Sequence, residues 1–118
     1  MSRSVRRTVI SLLAVAAAAV ALATPSQAAS VSNGSGATCT LNGGSHTARS
    51  TRVVNSSCYR VIASINWIDN NGTPRARTGA AATSVATVSS DTAMVTGRRG
   101  QGQIKVGNTV TYTNTVAV

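Results

Sequence analysis

Residues 58–68 constrain the fold more than any other segment, because their polarity alternates from one residue to the next. Such a period of two places successive side chains on opposite faces of a β-strand, whereas a helix repeats about every 3.6 residues. One face is apolar throughout and the other is mixed, which predicts a central strand packed on one side. The apolar face consists of Tyr59, Val61, Ala63, Ile65 and Trp67.

The chain after residue 28 is punctuated by turn residues and shows no sustained helical periodicity. The sequence DNNG at 69–72 predicts a turn, and Gly107-Asn108 predicts a tight hairpin with glycine at its first central position. Pro74 makes residues 73–82 a loop or an edge strand, because proline lacks the N–H that a central strand needs. Short strands with turns roughly ten residues apart predict an all-β fold, a small antiparallel β-sandwich or barrel. Further strands are predicted at 51–55, 83–89, 92–96, 104–106 and 109–118, with a short edge strand at 39–41.

Residues 1–28 are predicted to be a secretory signal peptide. Three arginines among the first seven residues precede a largely apolar run over 9–23, and small residues follow at 26 and 28. This order is typical of an exported protein that is cleaved, here after Ala28 or alternatively after Ala29. The apolar run is shorter than the roughly 20 residues that a spanning helix needs. We therefore expect a secreted protein without a transmembrane segment in its mature form, with cell-wall association as a further expectation.

The remaining residues, 29–118, carry eight basic and two acidic side chains, a net charge of +6. Residues 29–50 are rich in Gly, Ser and Thr and predict a flexible leader and loop. Residues 51–118 predict the small β domain itself. Only 16 of the 90 residues from 29 to 118 are Leu, Ile or Val, and none is Phe. The hydrophobic core is therefore expected to be small.

Cys39 and Cys58 are the two cysteines of the chain. An even number of cysteines in a small exported chain predicts a disulfide bond. That bond would close a loop of about 20 residues and stabilise the fold by about 3 kcal/mol in the chain-entropy model. A metal pair or a catalytic thiol is the alternative, but His46 is the only histidine that could assist either cysteine.

Few side chains are suited to catalysis. The acidic residues are Asp69 and Asp91, there is no glutamate, and no strained nucleophile turn of the G-x-S-x-G type is present. Two arrangements stay open: His46 with Asp91 and a serine as a hydrolytic group, and a calcium loop of oxygen ligands that begins at Asp69. We predict a protein that is not an enzyme and that uses no cofactor or metal ion.

The predicted interaction residues are arginines. Gly97–Gly102 reads as an exposed loop that presents Arg98 and Arg99 side by side, and Arg75 and Arg77 lie on one side of the 73–82 segment. Guanidinium groups bind carboxylates and phosphates in a bidentate manner. The expected partner is an anionic cell-wall polymer or an acidic protein, with Arg98 and Arg99 contributing most and Arg60 less.

Three aromatic residues and scattered cations do not predict specific nucleic-acid binding, since aromatic residues interleaved with the basic ones are missing. Tyr59 and Trp67 are expected in the core on the apolar face of their strand. The alternative is a stacking platform for sugars or bases that these two residues form with Tyr112.

The leader ending in PSQAA and the run CYRVIASINWIDNNG resemble those of small exported proteins of actinobacterial type. The resemblance implies export from a bacterial cell and transfers no functional residue. The function predicted from the residues is that of a secreted binding or structural protein acting at the envelope or on another protein. The alternatives are a cationic antimicrobial or toxin-like protein, and a protease inhibitor that uses the Arg98-Arg99 loop.

Overall fold

Two four-stranded antiparallel sheets face each other in a computed structural model, which describes residues 28–118. Sheet A has the strand order β1-β2-β3-β6 and sheet B the order β5-β4-β7-β8. The all-β prediction is confirmed, and the architecture is a sandwich. Within the described range no helix has the length and apolar character to cross a membrane. The strands are β1 (Ala28–Ser32), β2 (Thr38–Gly43), β3 (Ser50–Asn55), β4 (Arg60–Ile68), β5 (Pro74–Thr78), β6 (Val85–Ser89), β7 (Val95–Val106) and β8 (Thr109–Ala117).

The core lies between the sheets, and β4 supplies its centre. The predicted alternation along this strand is confirmed, because its apolar face is buried from Val61 to Trp67. Leu41 and Val53 of sheet A pack against that face. Tyr59 is the exception, since it precedes β4 and is only half-buried.

The predicted disulfide bond is confirmed. Cys39 in β2 and Cys58 just before β4 are bonded, with their sulfur atoms 2.01 Å apart. Both residues are buried in the core. The bond therefore joins sheet A to sheet B covalently.

The expected flexible leader and loop over 29–50 is wrong for about half of that segment, because β1 and β2 lie there. Val31 is fully buried and pairs with Cys39 across the two strands. The core side of β1 is made of Ala29 and Val31 and its other side of serines, an alternation too weak in hydrophobicity to be read as a strand. The predicted strand at 39–41 exists, but β2 lies inside sheet A and β1 forms the edge. The predicted signal peptide over residues 1–28, apart from Ala28, lies outside the described residues.

The expected loop over Gly97–Gly102 is also wrong. The segment belongs to β7, a single strand from Val95 to Val106 that replaces the two short strands predicted on either side of it. An added Cβ at Gly100 would lie 3.2 Å from Leu41 Cδ1, and one at Gly102 would lie 2.7 Å from Cys58 Sγ. These glycines are therefore sites where β7 approaches the opposite sheet. Close approach of another part of the protein is a common reason for glycine inside a strand.

The turns and the β5 edge follow the predictions. Gly107 has φ +62° in the β7–β8 hairpin, and Gly72 has φ +79° in the turn after β4. Strand β5, which begins at Pro74, is an edge of sheet B. The sandwich has two ends: the hairpin end contains the β7–β8 turn and the start of β4, and the acidic end contains Asp69 and Asp91.

Candidate functional site

The outer face of sheet B carries a row of polar side chains along β7, which we call the polar stripe. It is produced by alternation, because Gly100, Gly102 and Ile104 face inward between the stripe residues. At about 3.3 Å per residue, the stripe is about 20 Å long. Its members are Arg99, Gln101, Gln103 and Lys105.

Neighbouring strands widen the stripe into a surface three strands across. Gln103 pairs with Arg60 of β4 on one side and with Tyr112 of β8 on the other. With adjacent strands about 4.8 Å apart, Arg60 and Tyr112 are about 10 Å apart across the stripe. None of the four strands of sheet B, all inside the described range, contains Asp or Glu. The face therefore presents three cations and no carboxylate.

Two of these cations are positioned by an aromatic ring. The Tyr59 ring centroid lies 4.9 Å from Cζ of Arg60 and 5.2 Å from Nζ of Lys105. Cation–π contact orients both groups without using their hydrogen-bond donors. Neither Arg60 nor Lys105 makes an ion pair among residues 28–118. Their donors are therefore free for an external anion.

The amide side chains between the cations differ in how far they are satisfied. Gln101 Nε2 donates to the carbonyl of Thr113 at 2.8 Å, which fixes that side chain. Gln103 is 6% exposed, and its Oε1 has no hydrogen-bond partner in the described part of the chain. An unpaired buried carbonyl is uncommon, so this position differs from an ordinary strand residue.

The structure separates Arg98 from Arg99. Successive strand residues point to opposite faces, and Arg98 points inward, where its Nε donates to the Ser50 carbonyl at 3.0 Å and its Nη2 to the Thr47 carbonyl at 2.9 Å. Arg99 points outward, and its Nη1 donates to Thr115 Oγ1 at 3.4 Å. The expectation that both guanidinium groups reach one partner from a projecting loop is therefore wrong. The inhibitor alternative loses the exposed loop that it required.

Arg75 and Arg77 lie on the same side of β5 as predicted, but both are paired with acids. Arg75 Nε is 2.9 Å from Asp69 Oδ2, and Arg77 Nη2 is 3.3 Å from Asp91 Oδ1. Arg77 also donates to the Ser89 carbonyl at 2.7 Å. Its guanidinium carbon lies 5.0 Å from the centroid of the buried Trp67 ring. These arginines close the edge of the sandwich and neutralise both carboxylates of the described range.

Asp69 stabilises the turn that follows β4. Its Oδ1 accepts hydrogen bonds from the backbone N–H groups of Asn71 and Thr73, both at 2.9 Å. The Thr73 N–H, followed by the Arg75 guanidinium, lowers the pKa of this carboxyl below its usual value. Both carboxylate oxygens are committed, which weighs against the calcium-loop arrangement. In residues 28–118, no group of three His, Cys, Asp or Glu side chains is placed to hold a metal ion.

His46 lies in the loop between β2 and β3. Its Nδ1 accepts a hydrogen bond from the backbone N–H of Arg52 at 3.1 Å. Partial burial, and then the charge of Arg98, lower the pKa of the imidazole. In a Ser-His-Asp group Nδ1 faces the orienting carboxylate. Here a backbone N–H occupies that position, so the hydrolytic arrangement with Asp91 is not assembled.

The candidate site residues that the sequence does not reveal are those of the hairpin end. The sequence predicts a smaller contribution from Arg60 than from Arg98 and Arg99, and it suggests Tyr112 only for a stacking platform, yet both flank the stripe. Tyr112 is 61% exposed, whereas Trp67 is in the core. The alternation of polar residues with glycine along 99–105 is the sequence signal that could have revealed the stripe.

Comparisons of this chain with protein-family models, curated proteins and solved structures gave no match.

Proposed function

We propose that this is a secreted, non-enzymatic binding protein that holds an anionic polymer of the cell envelope along the polar stripe. The observation that carries the proposal is the acid-free outer face of sheet B, which presents Arg60 from β4 and Arg99 and Lys105 from β7. An extended polymer fits a stripe of about 20 Å better than a small ligand does. An acidic protein is the second partner class that such a face accepts.

The chemistry of binding is electrostatic. Arg60 and Arg99 can each form two parallel hydrogen bonds with a carboxylate or a phosphate, while Lys105 acts as a compact positive charge. Each polymer charge that a cation neutralises releases condensed counterions, so affinity falls as salt rises. Because the strands fix their directions, the cations are arranged before the polymer arrives, which reduces the entropy lost on binding.

Export is part of the proposal. The leader predicted over residues 1–28 supports it, and so does the Cys39–Cys58 bond, since disulfides persist mainly in oxidising compartments outside the cytosol. An exported protein should begin at Ala29 or Ser30, which the intact mass of protein recovered from the medium measures. A mass that retains residues 1–28 would contradict the predicted processing.

The test of the binding face is retention on anionic cell-wall material against salt concentration. The variant Arg60→Ala/Lys105→Ala is compared with Arg49→Ala/Arg52→Ala, which loses the same charge away from sheet B. Arg52 lies on β3, and Arg49 immediately precedes that strand. We expect the first variant to elute at clearly lower salt and the control to elute close to the parent. Equal shifts would show that only net charge matters, and no retention of the parent would refute the proposal.

A further inference from the structure

The β7–β8 hairpin projects beyond the rest of sheet B. Strand β4 begins at Arg60, opposite Gln103, whereas β7 continues to Val106 before the chain turns. Residues 105–110 are all exposed, and we call them the hairpin tip. The tip therefore extends three residues past the end of β4, and its side chains are exposed to solvent.

Exposed apolar side chains are concentrated at this hairpin. Val106 is 66%, Val110 40% and Tyr112 61% exposed. The other large apolar side chain that is exposed within the described range, Met94, is 51% exposed and belongs to the acidic end. Val110 and Tyr112 lie on the outer face and Val106 on the opposite face, so apolar side chains flank the turn on both sides. Single exposed apolar residues need no explanation, but several on one short element favour an interaction surface.

Two cations lie beside these apolar side chains. Lys105 pairs with Val110, and Arg60 lies one row further back beside Gln103 and Tyr112. Both acids of residues 28–118 lie at the other end of the sandwich. Tyrosine side chains combine an apolar ring with a polar hydroxyl and favour the boundary between lipid and water.

We infer that the hairpin tip docks the protein on an anionic lipid surface. Val106 and Val110 enter the boundary between headgroups and acyl chains, Tyr112 lies at the headgroup level, and Lys105 and Arg60 meet the lipid phosphates. Exposed valines flanking a turn, with a tyrosine and two cations beside them, suit such a surface, whereas a protein partner must supply a matching acidic pocket. This inference goes beyond the polymer binding proposed above: the two share Arg60 and Lys105, but docking adds Val106, Val110 and Tyr112, and it does not use Arg99.

The expected docking is reversible, because only two valines and one tyrosine ring leave water. Membrane affinity of this kind is the sum of buried apolar area and attraction to anionic lipid, and neither part is sufficient alone. Binding should therefore require an anionic lipid and weaken with salt. It should also depend on the valines at constant charge, which separates docking from simple charge attraction.

The experiment is co-sedimentation with vesicles of phosphatidylglycerol and phosphatidylcholine, or of phosphatidylcholine alone. It uses the secreted protein recovered from the medium, which is predicted to begin at Ala29 or Ser30, so that the apolar run over 9–23 does not contribute. We expect binding to the anionic vesicles only. The variant Val106→Ser/Val110→Ser should bind about tenfold more weakly, since it removes the apolar part of the contact. Met94→Ser, an exposed change at the other end, should bind like the parent.

The results separate the two proposals. Val106→Ser/Val110→Ser should keep the parent's retention on cell-wall material, whereas Arg99→Ala should lower that retention and leave vesicle binding unchanged. Absence of parent binding to anionic vesicles would overturn the lipid inference alone. So would a valine variant that binds vesicles as strongly as the parent, because the contact would then be one of charge. Both variants should unfold at the parent's temperature, because all three positions are outside the core.

Discussion

The two ends of the sandwich use their arginines differently. At the acidic end, Arg75 and Arg77 are paired with Asp69 and Asp91, and their charge is used to close the fold. At the hairpin end, Arg60 contacts only the ring of its neighbour Tyr59 among the described interactions, and its guanidinium is free. A net charge of +6 thus overstates what is available to a partner, and the position of each cation relative to the two acids decides its use.

The ends also differ in what stabilises them. A covalent bond joins the two sheets near the hairpin end, where Cys58 directly precedes Tyr59. Exposed ion pairs and hydrogen bonds from arginine to backbone carbonyls join the elements of the acidic end. Exposed ion pairs contribute about 0–1 kcal/mol each, whereas a disulfide contributes several times more. The hairpin end can therefore leave its cations unpaired without losing stability.

The largest expected effect comes from removing the disulfide bond. Cys39→Ala/Cys58→Ala should lower the free energy of unfolding by about 3 kcal/mol, because the unfolded chain regains the freedom of a loop of about 20 residues. Chemical denaturation followed by the fluorescence of Trp67, the single tryptophan, measures the change. A loss no greater than that of Asp91→Asn at the other end would contradict the difference between the ends.

Next in size is a pair of glycine substitutions along β7. Gly102→Ala should cost about 1–3 kcal/mol, because the new Cβ would overpack the core at 2.7 Å from Cys58 Sγ. Gly97→Ala is the matched control, since its Cβ would meet nothing closer than Asn66 Nδ2 at 3.9 Å. That change should be neutral or stabilising by up to about 1 kcal/mol. Equal tolerance at both positions would indicate that β7 does not approach the disulfide.

A smaller effect is expected from the arginines themselves. Arg77→Ala should lower stability by about 1 kcal/mol, because it removes a hydrogen bond to a backbone carbonyl and the cover over the Trp67 ring. Arg60→Ala should leave stability close to that of the parent and change only binding. Thermal unfolding and the emission wavelength of Trp67 distinguish them, since only the first variant should shift the emission. The opposite ranking would reverse the roles assigned to the two ends.

The smallest effect is a pH dependence confined to the acidic end and its neighbouring loop. The pKa of His46 in the folded protein is lowered from 6.5, so protonation of this imidazole favours the unfolded chain. The contribution of neutral His46 to stability is therefore present above pH 6.5 and is lost as the pH falls towards the folded-state pKa. Asp69 acts in the same direction in a lower window, since its contribution is present above 3.8 and is lost as pH falls through its lowered pKa. Unfolding measured between neutral and acidic pH should show both losses. In His46→Gln the upper window should disappear while the lower one remains.

The elements that sequence reasoning predicted correctly are those with large apolar residues or specific turn residues. Strand β4 has a clear alternation, Gly107 marks its hairpin by a positive φ, and the two cysteines allow one pairing. Strand β1 was missed because its inward side chains include only one large apolar residue, Val31. The sequence predicts β7 as two short strands separated by a loop, because Gly100 and Gly102 stand where apolar residues usually alternate. Glycine is required there by contacts with the opposite sheet.

The candidate site was predicted less well than the fold. Arg60, Gln103 and Tyr112 lie far apart in the sequence and become neighbours only through the register of three strands. That register depends on a bulge in the β7–β8 pairing between Gln101 and Gln103, which no local pattern indicates. Adjacent residues such as Arg98 and Arg99 invited the opposite error, because closeness in sequence suggested a shared surface. Strand geometry separates them.

The backbone of β7 also determines how the disulfide can be attacked. A thiolate must reach one of the two sulfur atoms to exchange with them, so the rate depends on access. Gly102 packs directly over Cys58 Sγ and Cys39 Sγ, and Val31 lies against the same position. Reductants should therefore react only with molecules in which β7 has separated from sheet A. The lifetime of the bond in a reducing medium is then set by how often the sandwich opens. Because Gly102 has no side chain, the backbone of β7 can lie close enough to cover both sulfur atoms.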